Sequence, residues 1–255
     1  FNIVVGRDLS DKERFGDRGL IFLGKGYVKM GNYTSLSNRV FMDVARSHVV
    51  LVAGKRGSGK SYSLGAIAEE LSNLEGEISK NVCSLIFDTM GIFWTMKYKN
   101  DKDDRLLKEW GLESKNLPVK VFVPFGKEKE YREKLIPFDE TFALKPSELN
   151  AEDWITIFNL DLTSLAGVLV QRIIAKFKER KKDYTIVEIQ KEVERDERSL
   201  KETKEIVYSL FSAADEWGVF SKDYSGTEIG DLTIAGTSVV LDVSVYSSIG
   251  AFNVR

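Results

Sequence analysis

The chain has 255 residues, 43% of them hydrophobic and 30% charged, and a net charge of −2. That is enough apolar material for one large α/β domain with a subdomain, and the overall balance is too acidic for a protein that coats nucleic acid with its whole surface. The apolar runs are strand-sized and no signal peptide is visible, so no membrane is expected; the single cysteine, Cys83, reads as a buried core thiol in a cytoplasmic protein.

Residues 1–47 carry short strand-like pieces, Phe1–Val5, Gly19–Leu23 and Tyr27–Met30, broken by glycines, and Arg39–Arg46 leads onward. His48–Ala53 is an apolar, β-branched run of strand length. His48, the only histidine, reads as a packing or edge residue. Residues 54–61 then read Gly54-Lys55-Arg56-Gly57-Ser58-Gly59-Lys60-Ser61, a complete G-x-x-x-x-G-K-[ST] phosphate-binding loop. Tyr62–Leu71 is rich in helix formers, with apolar Leu64, Ile67, Ala68 and Leu71. Strand, glycine turn and helix in that order give the pattern its mechanism. Loop N–H groups and the helix N-terminus, with Tyr62 in its first turn, face a polyphosphate. Lys60 is expected to reach the β- and γ-phosphates, and the Ser61 hydroxyl to ligate Mg²⁺.

Val82–Asp88 predicts the next strand, Asp101–Gly111 a short polar helix and Val119–Pro124 another strand, while the charged Gly126–Lys134 reads as solvated surface. Leu149–Lys182 predicts a helix with an apolar stripe at Ala166, Leu169, Val170, Ile173 and Phe177 and a basic end that suits the helix dipole. Glu188–Lys204 predicts a mixed-charge helix, followed by a buried stripe at Ile206, Leu210, Ala214 and Trp217 that Gly218 stops. Thr227–Thr233 and Ser238–Val243 are strand candidates. Alternating strands and helices around the phosphate-binding loop predict an α/β P-loop NTPase with a mainly parallel sheet and a helical insertion subdomain. The expected layout is a strand-rich lead-in over 1–47, the P-loop core over 48–255, and the helical insertion over 147–220.

A P-loop NTPase also needs a carboxylate at a strand tip for Mg²⁺ or water. Ser84-Leu-Ile-Phe-Asp88 and Val239-Val-Leu-Asp242 have that form, and neither carries an Asp-Glu pair. Asp88 is the candidate catalytic acid beside Lys60, whereas Asp242 reads as an ordinary strand-end acid. Asp88-Thr-Met-Gly91 also matches the D-x-x-G switch of GTPases, without the N/T-K-x-D base-reading signature after it. A GTPase or other P-loop phosphotransferase is therefore the alternative to an ATPase. A nucleotide-binding assembly subunit is the third reading.

Three blocks, VVLVAGKRGSGKSYSLGAIAEEL (49–71), LIFDTMGIFWTMKYKN (85–100) and VVLDVSVYSSIGAFNVR (239–255), resemble the HerA branch of the HerA–FtsK hexameric DNA translocases, and residues 6–31 resemble the segment before their ATPase core. The resemblance implies a RecA-like core, a homo-hexameric ATPase, double-stranded DNA in the central pore, ATP sites between subunits, and an arginine finger from the neighbour. It also implies a partner: a NurA-type nuclease in DNA end processing, or a sirtuin-like or other effector in phage defence. The P-loop residues carry over one for one, and Asp88 matches the family's acid near Mg²⁺ or the subunit interface. The chain begins at Phe1 and reads as part of something longer; the family's Walker B Asp-Glu and arginine finger are expected beyond residue 255.

Overall fold

A computed structural model describes residues 1–74 and 76–246. In chain order, β1 (Ile3–Val5), α1 (Leu9–Phe15), β2 (Leu20–Met30) and β3 (Tyr33–Asp43) precede the glycine-rich loop; α2 (Lys60–Ser72) and α3 (Gly76–Ser79) follow it. Next come β4 (Ser84–Asp88), α4 (Asp104–Glu109), β5 (Val119–Pro124), α5 (Glu128–Glu133) and β6 (Glu140–Phe142). Helices α6 (Ala151–Ile157), α7 (Leu165–Arg180), α8 (Ile186–Glu194) and α9 (Lys201–Glu216) lead to α10 (Ile229–Leu232) and β7 (Ser238–Asp242). Strands β4, β7, β5 and β6 form, in that order, a four-stranded parallel sheet, the α/β architecture of a P-loop RecA-like core. A separate three-stranded sheet has the order β1, β3, β2.

The chain forms two compact units. One comprises Phe1–Ile86, Thr95–Lys120 and Thr233–Val239. Here the two strand pieces expected at 19–30 are one strand, because register shifts at Phe22/Gly24 and Lys25/Tyr27 carry the β2–β3 ladder past the glycines as bulges. Ile21 and Met42, partners across that ladder, are buried. Buried Asp43 accepts from Arg7 Nε at 3.0 Å and pairs with His48 Nε2 at 2.9 Å. Burial opposes its charge, but the His48 and Arg7 hydrogen bonds outweigh it and hold the carboxyl below the usual range. Helix α2 is tied to β2 by Glu70, whose carboxylate accepts the Phe22 N–H at 3.1 Å. The buried Ser238 hydroxyl meets those of Ser72 (2.9 Å) and Ser84 (2.7 Å). Cys83 is half-buried rather than in the core.

The expected strand at 48–53 is a correction. The segment pairs with no strand among the described residues, and Val49 and Leu51 are 102% and 89% exposed. Its composition states a propensity for extended backbone, but parallel pairing is non-local and composition names no partner.

The other unit comprises Phe87–Trp94, Val121–Leu232 and, among the described residues, the segment from Val240 to Tyr246. Its helical part centres on fully buried Trp154, whose ring lies 4.9 Å from Phe211, 5.0 Å from Phe220 and 5.5 Å from Phe158. The helix expected over 149–182 is two. Asn159 turns left-handed (φ 50) after α6, and the Ser164 hydroxyl accepts the Gly167 N–H to start α7. The helix expected over 188–204 also ends early, and α8 starts from a Thr185/Glu188 capping box. Beyond it, buried Asp196 accepts from Arg172 at 3.0 and 2.7 Å and from the Ser199 N–H at 2.9 Å. At the basic end of α7, Lys176 and Arg180 lie 3.1 and 3.7 Å from Glu192. Residues 229–232 form α10 instead of a strand, because Asp231 accepts the Glu228 N–H at 2.9 Å and starts a helical turn.

Candidate nucleotide-binding site

The glycine-rich loop is built for close approach of an anion. Gly57 and Gly59 have φ of 78° and 86°, a region that disfavours side chains, and open space surrounds the position a β-carbon would take at either. At Gly54 a β-carbon would lie 2.4 Å from the Ser58 hydroxyl, so the loop closes tightly on itself there. The Ser58 N–H donates to the Lys55 carbonyl at 3.2 Å, and Lys60 Nζ reaches back to the same carbonyl at 2.9 Å. Lys55, Arg56 and Ser58 are exposed along this turn.

Gly59 is the N-cap of α2 and has no side chain to cap it. The first bond of the helix runs from the Ser63 N–H to the Gly59 carbonyl at 2.9 Å. The N–H groups of Lys60, Ser61 and Tyr62 therefore have no acceptor in the helix, and the positive end of the helix dipole opens at the loop. Open space, left-handed glycines and uncapped N–H groups fit a polyphosphate. The Ser61 hydroxyl makes no hydrogen bond among the described residues and suits a cation ligand. Among those residues no group of three or more His, Cys, Asp or Glu could by itself hold a metal ion, so Mg²⁺ would be held with the help of phosphate oxygens and water.

Asp88 closes β4 and is 1% exposed. One carboxylate oxygen accepts the N–H groups of Met90 (3.0 Å) and Gly91 (2.8 Å), and the other those of Ile92 and Phe93 (2.7 Å each). The side chain thus organises the whole 88–93 turn. Gly91 has φ 66°, and a β-carbon there would lie 2.5 Å from the Ser244 hydroxyl oxygen. The D-x-x-G spacing has a local structural cause.

Asp242 is fully buried. Its Oδ1 accepts from the Tyr131 hydroxyl and the Ser244 N–H, both at 2.9 Å, while Oδ2 is buried without a partner among the described residues. Burial, and then the Asp242 charge, push the Tyr131 phenol well up. Sequence reasoning missed Tyr131 because it lies in the charged stretch taken as surface. The available signal was one aromatic residue among charges on α5, where it forms the buried face. Residues 247–255 of the third resemblance block lie outside the described residues.

Fold and loop define a P-loop nucleotide-binding protein. A family model described as "Helicase HerA, central domain" matches residues 28–247, and the chain belongs to that family of P-loop ATPases. A search of curated proteins finds no match. Among the described residues no helix is long and apolar enough to cross a membrane.

Proposed function

We propose that this chain is the motor subunit of an ATP-dependent double-stranded DNA translocase or helicase, acting in the cytoplasm as a ring of six copies with DNA in the central pore. The observation that carries the reading is the coincidence of the HerA match over 28–247 with an open phosphate cradle at 54–61. In this reading the loop N–H groups bind the phosphates, and Lys60 neutralises charge that grows during hydrolysis. Ser61 orients Mg²⁺. When bound, ATP and Mg²⁺ supply the phosphoanhydride and the Lewis acid. Asp88 contributes by positioning, because direct contact with metal or water would take its oxygens from the backbone N–H groups they hold. The helices over 147–220 are an insertion in this core. A NurA-type nuclease or a sirtuin-like or other defence effector is the partner this reading implies.

The test is nucleotide turnover with ATP and with GTP, each with and without duplex DNA. ATP turnover that rises with duplex DNA supports the proposal. Preference for GTP returns the 88–91 turn to a switch role, and ATP turnover indifferent to DNA leaves an ATPase that is no translocase.

A further inference from the structure

The β2–β3 hairpin carries a feature that the ATP site does not use. From Arg18 to Met42 there is no Asp or Glu, although acids outnumber bases 39 to 37 over the chain. The same stretch holds Arg18, Lys25, Lys29 and Arg39. Its two strands are joined through Gly31 (φ 58°) and Asn32, with Gly at the first turn position as a type II′ hairpin requires.

Register places these cations together. The ladder pairs Lys25 with Arg39, Tyr27 with Leu36 and Lys29 with Thr34. The extra residue at the Lys25/Tyr27 shift lies on β3, so alternation along β2 is unbroken and Lys25, Tyr27 and Lys29 share one face. Tyr27 is 70% exposed, and its hydroxyl lies 3.3 Å from that of Thr34 on the same face. Two like charges directly opposite each other destabilise a sheet, and the Lys25–Arg39 pair is such a pair. Neither these two nor Lys29 has an acidic partner among the described residues. Lys25 is instead held 4.9 Å above the Trp110 ring, and Arg39 4.9 Å above the Phe22 ring. The ring contacts hold Lys25 and Arg39 in place without neutralising their charge, and an anionic strand with flat bases complements the row of cation, aromatic and cation.

We propose that this face, Lys25, Tyr27, Lys29 and Arg39, binds a strand of nucleic acid, with phosphates at the three cations and an unpaired base on the Tyr27 ring. The proposal deepens the DNA reading above and rests on it. Lys25 and Lys29 are about 14 Å apart along β2, at about 3.4 Å per residue, a span of a few nucleotides. Phosphate contacts supply salt-dependent affinity without sequence preference, and stacking favours strands whose bases are unpaired.

The experiment measures binding of the full chain, across a salt series, to a labelled oligothymidylate of about 20 nucleotides and to a duplex of the same length. The variants are Lys25→Gln/Lys29→Gln/Arg39→Gln together and Tyr27→Ala alone. Loss of three phosphate contacts lowers the log–log salt slope for the single strand by about 2 and the affinity at low salt by more than about tenfold. Tyr27→Ala weakens the single strand by about tenfold, leaves the slope unchanged and affects the duplex less. Should the triple variant fold poorly, the exposed Lys29→Gln carries the same test with a slope change of about 0.7. Wild-type affinity and slope in the variants overturn the hairpin site and leave the DNA reading standing. Absence of binding by the parent chain to either oligonucleotide overturns both. Variants that bind DNA normally but lose self-association assign the face to a second copy of the chain and also overturn the proposal.

Discussion

Tyr131 donates its phenolic hydrogen to Asp242 at two acceptors, the carboxylate Oδ1 and the backbone carbonyl, each 2.9 Å away. A buried carboxylate depends on such donors, since an unsatisfied buried acceptor costs about 1–3 kcal/mol. Tyr131→Phe keeps the ring and removes the donor. We expect a loss of stability in that range, read as a lower denaturant midpoint at unchanged slope. An unchanged midpoint would show that the hydrogen bond contributes nothing.

Asp88→Asn tests whether that side chain positions or reacts. An amide offers one acceptor oxygen where the carboxylate offers two, so two of the four backbone N–H groups of the 88–93 turn lose their partner. Melting temperature and hydrolysis should fall together, with a stability cost of at least about 2 kcal/mol. Hydrolysis that collapses at an unaltered melting temperature would place Asp88 in direct contact with metal or water.

Gly91→Ala should be destabilising by about 1–3 kcal/mol, because the left-handed φ and the 2.5 Å approach to the Ser244 hydroxyl oxygen both oppose a β-carbon. Ser244→Gly in the same chain should return part of that loss in a thermal melt. If the double variant is no better than the single one, the contact is not the cause.

Lys60→Ala should reduce nucleotide turnover by roughly 10²–10³-fold. The fold should survive, since among the described residues the Lys60 side chain bonds only to the exposed Lys55 carbonyl. Near-parental turnover in a folded variant would remove Lys60 from the nucleotide site.

Acid should destabilise the chain through Asp43 and Asp196. At Asp196 burial works against the charge, but hydrogen bonds from Arg172 and Ser199 prevail and keep the carboxyl below its usual range. Asp43 is depressed likewise. A depressed folded value means that the stability is present above the unfolded value of about 3.9 and is lost as pH falls through the folded one. Arg172→Met should cost about 2 kcal/mol at neutral pH, less than a fully buried pair would. Its difference from the parent should shrink as pH drops below about 4. A gap constant with pH would mean that Arg172 acts through packing alone.

What the sequence disclosed follows the range of the interactions involved. Residues 54–61 were legible because a phosphate loop is specified by local spacing. Strand β7, inserted between β4 and β5, was legible as a strand but not by its place, since no local signal records which strands become neighbours. On α9 the 3.6-residue period was right and Ala214 is buried as expected, but the first part of the stripe was out of phase. Thr203, Val207, Phe211 and Ala214 are buried, while Ile206 is 54% exposed. The amphipathic signal blurs there because apolar residues occur at adjacent positions, Ile206-Val207 and Leu210-Phe211. Thr227–Thr233 misled because its β-formers outweighed a single Asp cap.

Helices α6 to α9 occupy one uninterrupted stretch of chain, 151–216, and pack on one another as near neighbours in sequence. Contacts of short sequence separation form fastest. This stretch can therefore acquire its structure during synthesis, before the residues of β7 have left the ribosome, and hydrogen exchange should find it a cooperative element that protects its amides early.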